Sequence, residues 1–113
     1  TRWLFVTGVQ TCALPIYFPD HFDSILGYLA QNGKSLEINT NTYRFRNGTA
    51  PGLDINVLRR YKELGGEFVS IGSDAHSTDR IGDNFDYYLD IIRNTGYRYI
   101  TYFNKRHAVA ERF

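Results

Sequence analysis

The sequence predicts an α/β fold with parallel strands, and three observations lead there. Helical and strand-like stretches alternate three times along residues 18–103, each helical stretch about ten to thirteen residues and each strand about five to seven. Each helical stretch closes on glycine, and each strand that follows is rich in β-branched or aromatic residues. That order is the pattern of βα units, in which a helix returns the chain so that the next strand can lie parallel to the last.

The elements follow in turn. Residues 20–33 place Phe22, Ile25, Leu26 and Leu29 at helical spacing and end on Asn32-Gly33, which predicts a first helix with its apolar stripe turned inward. Residues 35–39 form a short strand with Leu36 and Ile38 on one face and Glu37 and Asn39 on the other. Residues 40–53, rich in Asn, Thr, Gly and Pro, make a loop whose length alone suggests a function. A second helix over 54–66 begins on the acidic cap Asp54 and stops at Gly65-Gly66. A second strand is expected over 67–71, a third helix over 84–96 ending at Gly96, and a third strand over 97–103, where Tyr97, Tyr99, Tyr102 and Phe103 pack. Residues 107–113 are expected to add a last helical turn.

With 113 residues, 42% of them hydrophobic, the chain has material for one modest core and not for two domains. Thirteen Lys and Arg balance twelve Asp and Glu, a net charge of +1, so the electrostatic footprint of a nucleic-acid-binding face is missing and nucleic acid is not an expected partner. The lone Cys12 has no partner for an internal disulfide and no stretch has the apolar length of a membrane span; no membrane partner and a cytoplasmic setting are expected. The oligomeric state is not readable. Residues 1–16 stand apart, and 17–113 carry the domain. The segment Val6-Thr-Gly-Val-Gln-Thr-Cys-Ala-Leu-Pro-Ile16 resembles a translated sequencing-adapter remnant, so residues 1–16 are expected to be foreign to the fold, although the residues around Trp3 to Thr7 are β-prone in their own right.

Chemistry concentrates at Gly72-Ser73-Asp74-Ala75-His76, directly after the second strand. A carboxylate and an imidazole two residues apart, where a strand gives way to a loop, have the geometry to converge on one divalent metal ion. The plainer alternative is that Asp74 caps a following helix and His76 is a surface residue. In parallel α/β folds the site lies at the carboxyl ends of the strands, here Asn39-Thr40, Gly72-Ser73-Asp74 and Phe103-Asn104. The long loop and the Asp-x-His both fall on that rim. Ser73 fits no nucleophile elbow and reads as a turn hydroxyl, while His21 and His107 read as surface residues.

Leu36-Glu-Ile-Asn-Thr40, Arg44 in the loop, Arg60-Tyr-Lys-Glu-Leu-Gly-Gly-Glu67, Ile71-Gly-Ser-Asp-Ala-His76 and Tyr99-Ile-Thr-Tyr-Phe-Asn-Lys-Arg106 together resemble the C-terminal third of a histidinol-phosphatase of the PHP (polymerase and histidinol phosphatase) family. The resemblance runs from about Phe18 to the end. It implies that the chain is the C-terminal part of a distorted (β/α)7 barrel with divalent metals (zinc, manganese or iron) at its carboxyl rim. It also implies hydrolysis of a small phosphate monoester, histidinol phosphate in histidine biosynthesis. By matching position, Asp74 and His76 become metal ligands at the catalytic centre and Arg44 a phosphate clamp.

Such chemistry asks for these residue types. Metal ions offset the charge of a phosphate dianion and lower the pKa of bound water, and a mixed nitrogen and oxygen set suits a transition metal better than calcium. An arginine grips phosphate oxygens with a two-pronged fork; Arg46 competes with Arg44 for that role, and a solvated loop arginine is the alternative for either. Asn39 and Glu37 would line the interior, orienting ligands and substrate, or form a buried polar pair satisfied by backbone. The family's other ligands, including an N-terminal His-x-His, have no counterpart in these residues, so the chain alone is expected to bind metal poorly and turn over little. Three readings therefore stand: part of a histidinol-phosphatase-like metallohydrolase, part of another PHP phosphoesterase acting on nucleotides or DNA ends, and a catalytically inert fragment.

Overall fold

A computed structural model describes residues 18–40 and 55–113. The expectations for residues 1–16, for most of the long loop, and for Arg44, Arg46 and the Asp54 cap fall outside the described residues. The elements are α1 (Pro19–Gln31), β1 (Leu36–Asn39), α2 (Ile55–Glu63), β2 (Val69–Gly72), a 3-10 turn (Thr78–Arg80), α3 (Phe85–Asn94), β3 (Tyr99–Asn104) and β4 (His107–Arg112).

Helix α1 starts with Pro19, whose fixed φ suits the first turn and whose missing N–H would have had no partner there. It buries Leu26 and Leu29 completely and packs Phe22 at the margin of the core. Ile25, expected on the same stripe, is instead 45% exposed, because the buried face of α1 is narrower than the apolar pattern suggests. Helices α2 and α3 bury Leu58 with Tyr61, and Tyr88 with Ile92. Complete burial of each such side chain is worth roughly 1.5–3 kcal/mol, and this shared layer is what holds the helices against the strands.

All three helices end in the same hydrogen-bonded motif. In α3 the Tyr97 N–H reaches back to Ile92 O (3.3 Å) and the Gly96 N–H to Arg93 O (2.9 Å), with Gly96 at φ +103°, so the last carbonyls are satisfied as the chain reverses. The α2 closure repeats it through Gly66 to Tyr61 O (2.8 Å) and Gly65 to Lys62 O (3.0 Å), and the α1 closure through Lys34 to Leu29 O (2.9 Å).

β1 and β2 pair in parallel with Leu36 opposite Val69 and Asn39 opposite Gly72, as the alternating order predicts. β3 lies beside β2 but pairs with β4 in an antiparallel hairpin, Tyr99 opposite Arg112 and Asn104 opposite His107. Two expectations are corrected here. Residues 107–112 are a strand and not a helical turn, and parallel pairing holds for β1 and β2 while the last pair is antiparallel. The physical reason is the turn: Lys105 and Arg106 both take positive φ (48° and 70°), the two-residue geometry whose twist matches a hairpin. Of the aromatics expected to pack the third strand, Tyr97 is buried, whereas Tyr99 and Tyr102 are half exposed. The architecture is thus mixed helix and strand, compatible with α/β. No helix among the described residues is long and apolar enough to cross a membrane.

Polar tips of buried tyrosines tie the layers together. The fully buried Tyr61 directs its hydroxyl at Lys34 O (2.8 Å) and Phe68 O (3.1 Å), and the Tyr97 hydroxyl donates to Leu58 O (2.9 Å). Burial pushes the Tyr61 phenol up to about 12 and that of Tyr97 up as well, so both remain protonated donors through neutral pH. The Arg60 guanidinium clasps Asp23 side-on (2.8 and 2.7 Å), linking α2 to α1 at the surface and holding the Asp23 carboxyl below its ordinary range.

Candidate functional site

The parallel register brings the carboxyl ends of β1 and β2 together. Because side chains alternate along a strand, Leu36 and Ile38 enter the core, and Glu37 and Asn39 take the opposite face. Asn39 ends β1 at 8% exposure and is engaged by neighbours. Glu37 lies partly buried across Gly72: a Cβ at Gly72 would come within 3.3 Å of the Glu37 Cδ and Oε1. This is a physical reason for glycine at the head of the Gly-Ser-Asp segment, since the carboxyl of one strand occupies the space that a side chain on the other would need.

After Gly72 the chain leaves the ladder. Ser73 is partly buried and hydrogen-bonded or otherwise engaged, in keeping with a turn residue. Asp74 adopts φ +47°, the left-handed region that aspartate tolerates better than most residues, and this bend turns the following segment back on itself. The result is a contact of 2.8 Å between His76 Nδ1 and the backbone oxygen of Asp74. A carbonyl oxygen only accepts, so Nδ1 carries the proton in this bond, and in the neutral ring the lone pair is then on Nε2. That is the tautomer a metal-ligating histidine needs, held by a backbone carbonyl.

Electrostatics point the same way. The Glu37 carboxyl is pushed above its ordinary range, first by desolvation and then by the negative charge of Asp74. A divalent cation placed near both carboxyl groups would offset that repulsion. Among the described residues no three His, Cys, Asp or Glu side chains gather at metal-holding distance, so Asp74 and His76 do not by themselves form a metal site. The donors present fit a transition divalent ion in type and tautomer.

The loop then returns to its origin. A 3-10 turn over Thr78–Arg80 leads through Asp83, whose carboxylate pairs with Arg80 (3.1 Å), and Asp83 O accepts a hydrogen bond from the Thr40 hydroxyl (2.9 Å). Asn39 ends β1, and Asp74 and His76 follow the end of β2 with both residues exposed, whereas Arg44 lies outside the described residues. Asn104, expected on the same rim, opens the hairpin turn opposite His107. His21 and His107 are exposed, as expected of surface residues. Sequence reasoning placed Thr40 at a strand end without a role of its own, and it underrated Glu37. The alternation of Glu37 with Asn39 was the available signal for the second; nothing in the local pattern signals the first.

Comparison with known proteins gives two informative matches. Over 87 residues the chain is 34% identical to a Thermotoga maritima protein named probable histidinol-phosphatase, covering 77% of this chain and 36% of that protein. Over 89 residues it is 35% identical to a Clostridium acetobutylicum protein of the same name, covering 79% of this chain and 34% of the relative. The chain thus spans about a third of the length of the curated relatives it matches. No family model matches the chain, and no solved structure matches it.

Proposed function

We propose that this chain contributes the Asp74–His76 limb of a metal-dependent phosphomonoester hydrolase of the PHP family, with histidinol phosphate as substrate. The observation that carries the reading is the His76 ring held through Nδ1 by Asp74 O in the segment that follows a parallel strand pair, which leaves Nε2 uncommitted by that bond. The names of the two relatives supply the substrate class.

In this reading Asp74 and His76 would hold a divalent ion of zinc, manganese or iron, together with residues outside this chain. When bound, such an ion supplies charge neutralisation at the phosphoryl oxygens and a water acidic enough to act as nucleophile near neutral pH. The chain's own contribution is orientation. Asp74 places its carboxylate by its left-handed backbone, His76 presents Nε2 because Nδ1 is committed, and Glu37 adds negative potential from the adjacent strand. Asn39 positions the substrate from the end of β1, and Arg44 clamps the phosphate.

The test is phosphate release from histidinol phosphate by the longer protein that the relatives' length calls for, in the presence of manganese, zinc or iron. Asp74→Ala and His76→Ala should each reduce turnover by roughly two orders of magnitude or more, since removal of a ligand disturbs both water activation and transition-state charge. Arg44→Ala should raise KM more than it lowers kcat. Metal-dependent hydrolysis that survives both ligand substitutions would refute the assignment.

A further inference from the structure

We propose that Thr40 is the positioning residue of the Asp74–His76 loop, a staple that closes the loop at both ends and presets its metal-binding geometry. The proposal rests on the metal-hydrolase reading above. Thr40 is fully buried and makes two hydrogen bonds that converge from opposite ends of the same loop. Its N–H donates to Gly72 O (2.8 Å), two residues before Asp74, and its hydroxyl donates to Asp83 O (2.9 Å), seven residues after His76. Both ends of residues 73–82 are therefore fastened to one residue, the one that follows β1.

Between those anchors the loop is internally braced. The Arg80 N–H bonds Ser77 O (3.1 Å), the Asp83 N–H bonds Arg80 O (3.1 Å), and the Arg80 guanidinium reaches the Asp83 carboxylate. A loop with joined ends and internal hydrogen bonds is a compact Ω-type unit, and joining its ends in advance removes ordering entropy that ligand binding would otherwise have to supply. Asp74 and His76 lie inside this unit, so the Thr40 hydroxyl acts on them through the backbone without touching the ion. Valine keeps the shape of threonine and removes the hydroxyl, leaving Asp83 O without that donor; serine restores it.

The experiment uses the 113-residue chain and Mn2+ as a paramagnetic probe, reading line broadening of the His76 ring and the Asp74 amide by NMR, together with amide exchange at Arg80 and Asp83. In the unsubstituted chain both signals should broaden with added Mn2+. Thr40→Val should need about tenfold more Mn2+ for the same broadening and lose protection at the Arg80 and Asp83 amides, while Thr40→Ser should retain both properties. A folded Thr40→Val chain with unchanged Mn2+ response and unchanged exchange would overturn the staple. Because an incomplete donor set binds weakly, Mn2+ is added in large excess; absence of broadening at His76 in the unsubstituted chain even then would count against the metal reading, and the exchange comparison would still judge the staple. Should Thr40→Val fail to fold, exchange in the unsubstituted chain decides: Arg80 and Asp83 amides protected along with the Thr40 amide support the proposal, and their free exchange beside a protected Thr40 amide overturns it.

Discussion

On the approach to β2 the chain runs through Gly65 to Phe68, where the fully buried Tyr61 ring packs against Gly66, its hydroxyl meets two carbonyls, and the helix closure satisfies the last turn of α2. On leaving β2 it runs through Ser73 to His76, where a non-glycine residue takes positive φ and two carboxyl groups face one region. The first segment spends its polar groups on one another. In the second, desolvation and then the nearby charge of Asp74 push the Glu37 carboxyl above its ordinary range. Four residues of β2 separate the two, so stability and candidate chemistry occupy opposite ends of the same strand.

Substitutions on the two ends should consequently differ in sign as well as size. Gly66→Ala should have the largest effect, because the new Cβ would overlap the Tyr61 ring and a buried ring has nowhere to retreat; a loss of roughly 3 kcal/mol, read by urea unfolding, is expected from overpacking of this kind. An unfolding curve unchanged by that methyl would break the comparison at its stable end. Tyr61→Phe should cost less, about 1 kcal/mol, since packing survives and only the hydroxyl bonds to Lys34 O and Phe68 O are lost. Its pH signature is separate: a phenol raised in the folded state gives stability that is complete below its unfolded value near 10 and is lost as pH rises through about 12, so Tyr61→Phe should flatten part of the alkaline fall in Tm.

Glu37→Gln should have the smallest effect and the opposite sign. The folded carboxyl is raised, so its contribution to stability is fully present below the unfolded carboxyl range and is lost as pH rises through the raised value. The neutral amide avoids that loss. Metal-free Glu37→Gln should therefore melt slightly above the unsubstituted chain at neutral pH and coincide with it in acid, and added Mn2+ should raise the Tm of the unsubstituted chain more than that of the variant. A neutral-pH melting point below that of the unsubstituted chain would remove Glu37 from the set of groups in mutual repulsion.

The parts of this architecture that were legible in the sequence are those fixed by short-range rules. Gly33, Gly65 and Gly96 announced the helix ends because a left-handed closing residue is a local demand, and Leu36 and Ile38 announced the inward face of β1 by alternation. The Asp-x-His after a β-branched run placed the candidate site at a strand end for the same reason. What stayed hidden depends on distant partners. The burial of Thr40 acquires meaning only with Asp83, which lies 43 residues further along the chain, and the charge on Glu37 only through the β1–β2 register. The final strand was missed because Lys105-Arg106 carries none of the Asn-Gly signal of a two-residue hairpin, while Ala108 to Arg112 are acceptable helix formers.

That same hairpin tip bears on how the molecule meets proteases. Lys105 and Arg106 offer adjacent basic bonds to a trypsin-like enzyme, yet both residues sit in left-handed geometry within a turn closed by the Asn104–His107 pair. A protease cleft binds substrate as an extended strand, so the scissile bonds become available only when the β3–β4 ladder opens. Cutting at this dibasic tip therefore counts the open hairpin, and its rate relative to an unstructured Lys-Arg peptide gives the free energy of that local opening independently of global unfolding.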